Sequence, residues 1–137
     1  MNELIAGHAA VMGQNFLTLV LGALVALYYG RLAWRTPNTD PARWLMIGVA
    51  FGGAGWAADR GFWWLWRLEL ALGNESAAAA FVRNADYLLI VTLLIATSYL
   101  IHLHRWTRAR FGRWSWPVSV ALAVGVFLIG ALPGALL

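Results

Sequence analysis

The sequence has 137 residues, of which 61% are apolar and 12% charged, with a formal net charge of +4. Soluble domains run at roughly 45–50% apolar and about 25% charged, so the composition argues against a water-soluble fold, and the length allows a single domain. The absence of Cys excludes disulfides, thiolate metal sites and thiol catalysis together.

Four apolar stretches follow one another. The first runs from about Phe16 to Gly30 and extends back through Ala9, Ala10, Val11 and Met12 if Gln14 and Asn15 are included. The second runs from Trp44 to Ala58, the third from Tyr87 to Ile101 and the fourth from Val118 to Leu137. A crossing helix needs roughly 20 mostly apolar residues for a hydrocarbon core ~30 Å thick, and only the fourth stretch reaches that length unaided. The second and third are clean for about 15 residues each, or about 22 Å at ~1.5 Å per residue. To span, the second must run past Asp59 and Arg60 to about Trp63, and the third must begin near Val82 and take in Arg83 and Asp86. Continuous runs rich in Leu, Ala and Gly are not the ~10-residue alternating strands of a membrane barrel. The expected fold is therefore an all-α integral membrane protein: one four-helix transmembrane domain over 1–137, with spans at about 9–30, 43–66, 80–104 and 117–137. The second and third helices are expected to form a long hairpin extending on the outer side.

The breaks agree with this division. Thr36-Pro37-Asn38-Thr39-Asp40-Pro41 combines two prolines with turn formers, and proline both removes a helical donor and disfavours helix in the residue before it. Gly73-Asn74 reads as a helix end and a new start, and Pro117 suits a first helical turn. No Lys or Arg precedes Arg31, so the first span is expected to remain as an anchor, since a signal peptide carries a positive leading segment.

Orientation follows from the arginines. Arg31, Arg35 and Arg43 crowd the first connection against Asp40, and Arg105, Arg108, Arg110 and Arg113 fill the third with no acid. The middle connection mixes Arg60, Arg67 and Arg83 with four acids. The positive-inside rule places the first and third connections in the cytoplasm, leaving both termini on the periplasmic side of a bacterial inner membrane. The nine Trp fall into two belts, Trp34, Trp44, Trp106, Trp114 and Trp116 inside and Trp56, Trp63, Trp64 and Trp66 outside, as interfacial aromatic residues do. The seven arginines of the inner connections are read as contacts to anionic lipid headgroups, not as a nucleic-acid site.

Three constellations carry the functional expectations. Gly48, Gly52 and Gly55 recur at helical spacing ahead of Asp59, and Gly22 follows Gln14 and Thr18 at intervals of four. Small residues so placed let backbones approach closely in a membrane, either within the chain or between subunits. Asp59 and Arg60 come to nearly the same depth as Arg83 and Asp86, so the hairpin predicts cross-pairs Asp59–Arg83 and Arg60–Asp86. An unpaired charge at that depth costs about 2.5–3.5 kcal/mol, and the cluster serves as a register clamp, as the lining of a wet path, or in a proton-linked role. His102 and His104 are two residues apart and point about 160° from each other on a helix, so no shared metal or haem is expected. Asp86, Thr97 and His104 share one helical stripe.

No phosphate loop, paired-His motif or nucleophile elbow is present, so no enzyme and no cofactor are expected. Two functions remain. The first is a non-enzymatic inner-membrane protein that forms a homo-oligomer, or docks on a larger membrane complex, through its Gly-rich helix faces; its most specific form is a holin-like pore- or lesion-former of phage or bacterial origin. The alternative is a small membrane subunit binding a lipid or lipid-soluble cofactor at the Trp-rich outer hairpin.

Overall fold

The computed structural model describes residues 2–136, and among them the chain is entirely helical apart from turns. Helix α1 spans Asn2–Arg35, α2 Ala42–Ala71, α3 Glu75–Phe111 and α4 Ser115–Ala135, with a 3-10 turn at Gly112–Trp114 before the last. Among the described residues two helical segments, Ala6–Arg35 and Glu75–Ala135, are long and apolar enough to cross a membrane. The expected spans at 9–30, 43–66 and 80–104 lie inside α1, α2 and α3; the fourth, at 117–137, follows α4 to Ala135 and runs past its end, with Leu137 outside the described residues.

Local chemistry sets the helix ends. After α1 the Thr36 hydroxyl folds back onto the Leu32 carbonyl (2.7 Å), and Asp40 accepts the Ala42 amide (2.9 Å) as α2 begins behind Pro41. Helix α2 stops at Gly73, whose φ of 79° is open to glycine at little cost. The Asn74 amide then reaches back to the Glu69 carbonyl (2.9 Å), the wrap-around bond of a glycine-terminated helix. Gly112, with φ 52°, turns the chain from α3 into α4.

Helix α2 is the hub. It packs most extensively on α1, next on α4 and least on α3, while α1 and α3 do not meet among the described residues. Gly22 and Gly53 face each other across the α1–α2 contact: a Cβ on either would stand 2.7 Å from the other's carbonyl oxygen. Gly130 of α4 lies in the same way against the Val49 carbonyl, and Gly52 of α2 against the Phe127 carbonyl. The buried cluster is small, formed by Val49, Tyr99, Leu103, Ala123 and Val126. Far more large apolar side chains are exposed than buried, among them Leu27 (71%), Tyr87 (69%) and Leu94 (66%).

Helix α4 is the short one. Its last turn meets α2 at Trp56, whose indole lies against Gly134. Beyond that level α2 continues for about 15 residues, or roughly 22 Å, flanked by α1 through Phe16–Trp64 (ring centroids 6.2 Å) and by α3 through Phe62–Phe81 (5.8 Å).

Candidate functional site

The middle of α3 stands nearly bare. From Asp86 to Ile95 every residue is exposed, whichever way its side chain points. Helix α3 touches α2 near one end through Phe81 and again through Tyr99, whose hydroxyl donates to the Trp44 carbonyl (2.7 Å). On one side of the intervening stretch is an open groove of about 530 Å³ against α2, with Ile47, Phe51, Leu94 and Ile95 among its walls. On the other is a smaller groove of about 210 Å³ against α4, lined by residues that include Leu93, Leu100, Val124 and Phe127.

The end of the bundle formed by the α1–α2 and α3–α4 turns carries an aromatic and hydroxyl layer. His102 stacks on Trp44 (centroids 5.5 Å, interplanar angle 13°) and His104 on Trp116 (3.7 Å, 11°). Beneath them Thr107 and Ser119, both fully buried, join through their hydroxyl oxygens, and Ser119 donates to the Ser115 carbonyl (2.7 Å). This closes the α3–α4 hairpin with polar groups that satisfy each other, which an apolar surrounding demands. The two histidines therefore belong to separate stacks. Among the described residues no three His, Asp or Glu side chains come together as a metal-binding group.

The expected charge cluster is divided. Asp59 pairs with its neighbour Arg60 (2.9 Å), and this is the one ion pair among the described residues. The Arg60 guanidinium also lies 4.6 Å from the centre of the Trp56 ring, beside the end of α4. Arg83 and Asp86 are exposed on α3 and form no ion pair there. The cross-pairs Asp59–Arg83 and Arg60–Asp86 are thus absent: the adjacent Arg60 reaches Asp59 without spanning the gap between helices. On the extension of α2, Arg67 meets His8 of α1 (3.3 Å) and lies 5.7 Å from the Trp66 ring centre.

The expected glycine face is used inside the chain for most of its length. Gly22, Gly48 and Gly52 each lie against a neighbouring helix, whereas a Cβ at Gly55 would meet nothing within 4 Å. Sequence reasoning omitted Gly53, Gly130 and Gly134, which make equally close approaches. For Gly130 and Gly134 the signal was the same spacing of four; Gly53, directly after Gly52, carried none, since only the structure shows it against Gly22. Of the seven arginines around the α1–α2 and α3–α4 turns, Arg31, Arg35, Arg105, Arg108, Arg110 and Arg113 are exposed, while Arg43 donates to the Thr36 carbonyl (2.9 Å). Arg110 and Arg113 lie over the rings of Trp106 and Trp114 at 4.7 and 5.6 Å.

Comparison of the chain with protein-family models, with curated proteins and with solved structures finds no match.

Proposed function

We propose that the chain is a four-span integral protein of a bacterial inner membrane, both ends on the periplasmic side, which acts without catalysis as an assembly unit docking on another membrane helix through α3. The observation that carries this reading is the Asp86–Ile95 stretch, exposed all round while apolar at Tyr87, Leu88, Leu89, Ile90, Val91, Leu93, Leu94 and Ile95. Soluble monomers rarely leave contiguous apolar patches beyond a few hundred Å², whereas lipid solvates such a surface at no penalty. The gathering of seven arginines at the end opposite the α2–α3 turn supports the orientation.

Helix association in lipid draws on close packing and not on a hydrophobic drive. The glycines that would provide it are mostly occupied within the chain, so the docking surface passes from the glycine faces to α3. Self-association of several copies through α3 is the arrangement a holin-like lesion would need, and collapse of the membrane potential on expression reports it. The docking itself is tested with single cysteines, for which the Cys-free chain has no background. Ile90→Cys and Ile101→Cys, on the side of α3 opposite Leu103, are expected to cross-link on oxidation in native membranes. Leu27→Cys, exposed on α1, is expected not to, and equal cross-linking at all three would remove the proposal.

A further inference from the structure

The groove between α2 and α3 is apolar along most of its length and polar at one end. Ile47, Phe51, Leu94 and Ile95 form its walls, and Ser98 and His102 stand at the end nearest the arginine-rich turns. Tyr99 also lines it, but its hydroxyl is already given to the Trp44 carbonyl. Ser98 and His102 make no hydrogen bond among the described residues, and both are exposed. Arg105 lies one helical turn beyond His102 on the same face, and no acidic residue follows Asp86 anywhere in the chain.

These features describe an amphipathic ligand with a negative head. The groove is lined on α3 from Leu94 to His102, about nine residues or roughly 13 Å, close to the ~15 Å depth of one leaflet of hydrocarbon. Its volume of about 530 Å³ falls in the range of ligand sites, roughly 300–1,000 Å³. We propose that this groove holds an acyl chain of an anionic phospholipid from the inner leaflet, with the lipid phosphate at His102 and Arg105. The assignment rests on the membrane placement proposed above. The groove then makes α3 a lipid-sealed element, with the lipid filling the space that α2 leaves.

The test is native mass spectrometry of the full chain released from detergent micelles containing equal amounts of dioleoyl-phosphatidylglycerol and dioleoyl-phosphatidylcholine. Each basic group near a membrane surface is worth about a fivefold preference for the anionic lipid. Retained phosphatidylglycerol is therefore expected to exceed phosphatidylcholine by at least about fivefold. Arg105→Gln is expected to lower that preference about fivefold. Ile95→Trp, filling the groove from a position already 47% exposed, is expected to abolish retention of both lipids. Arg83→Gln, at the far end of α3, is expected to change neither. Equal retention of the two lipids, or a preference untouched by Arg105→Gln and Ile95→Trp, or one lowered equally by Arg83→Gln, overturns the site. Alkaline carbonate extraction of native membranes separates the two failures. Release of the chain overturns the membrane reading together with the site, while a chain that stays in the pellet without lipid preference overturns the site alone.

Discussion

The Tyr99 hydroxyl and the Trp44 carbonyl, 2.7 Å apart, join α3 to α2 at the level where the apolar groove begins. Below that bond α3 is tied into the bundle through Leu103 and Thr107, both with no exposed surface. Above it the helix has no buried residue until Ala78. The bond therefore marks where a packed helix becomes a bare one.

Tyr99→Phe keeps the ring contacts with Phe51 (5.8 Å) and Phe127 (5.2 Å) and removes only the hydroxyl. The Trp44 carbonyl retains the amide partner of its own helix, so the loss is the modest one of a single interhelical bond, about 1 kcal/mol. Tyr99→Ala loses the ring as well and is expected to cost about 3–5 kcal/mol. Denaturant titration of the protein in mild detergent, followed by helical circular dichroism, measures both. Equal stability of the two variants would show that the rings contribute nothing.

Gly52 and Gly55 lie three residues apart on one helix and are expected to respond in opposite ways. A Cβ at Gly52 meets the main chain of α4 at Phe127, which cannot rotate aside, whereas one at Gly55 meets nothing within 4 Å. Gly52→Leu is expected to force α2 and α4 apart, at about 3 kcal/mol or more given the usual range for overpacking. Gly55→Leu is expected to leave stability within about 0.5 kcal/mol, as surface substitutions do. The same denaturant titration checks the pair, and a larger loss at Gly55 would contradict the packing.

The helices were legible in the sequence because apolar runs and their breaks are local signals. Pro37, Pro41 and Gly73 stand where α1 and α2 end or begin, for the reasons their backbones dictate. The Gly112 turn was not singled out, since a glycine within the run Arg105–Arg113 carries no periodic mark. Partner choice was the part that sequence did not reveal. Depth arithmetic placed Asp59 and Arg83 at one level, but level says nothing of the direction a side chain takes: α2 and α3 touch there through Phe62 and Phe81, yet Asp59 turns to Arg60 and Arg83 is exposed. The stacks of His102 on Trp44 and His104 on Trp116 were likewise hidden, because each joins residues far apart in the chain whose types are ordinary at a membrane interface.

Charge reversal distinguishes the two pairings. If Asp59 belongs to Arg60, then Asp59→Arg combined with Arg83→Asp gives no rescue over Asp59→Arg alone. Asp59→Asn is expected to cost under about 1 kcal/mol, because the pair is about one-third to one-half exposed and such pairs are worth little. Expression level and detergent stability of the three variants supply the measurement. Rescue by Arg83→Asp would restore the interhelical clamp.

The buried hydroxyls at Thr107 and Ser119 predict an asymmetry. Ser119 also donates to the Ser115 carbonyl, so Thr107→Val leaves it a partner, and the expected loss is about 1 kcal/mol. Ser119→Val instead forces a branched side chain into a site with no exposed surface, while the Thr107 hydroxyl loses Ser119 and falls back on the His104 (3.1 Å) and Ser115 (3.3 Å) carbonyls. Its expected cost is about 2–4 kcal/mol, combining overpacking with a lost hydrogen bond. Thermal unfolding of the two variants in one detergent gives the order directly.

Topology is the prediction with the widest reach. Ser76 at the α2–α3 turn, Thr39 in the α1–α2 turn and Ala109 near the end of α3 are all exposed, and each accepts a cysteine in a chain that has none. With both termini outside, a membrane-impermeant maleimide added to spheroplasts is expected to label Ser76→Cys at once, and Thr39→Cys and Ala109→Cys only after permeabilisation. The opposite pattern would invert the orientation and move the arginine-rich end outward, against the charge rule. Labelling of all three in intact spheroplasts would mean that α2 and α3 do not cross. The bare face of α3 would then need a protein, not lipid, to cover it, because water cannot solvate eight exposed apolar side chains between Asp86 and Ile95 without a large hydrophobic penalty.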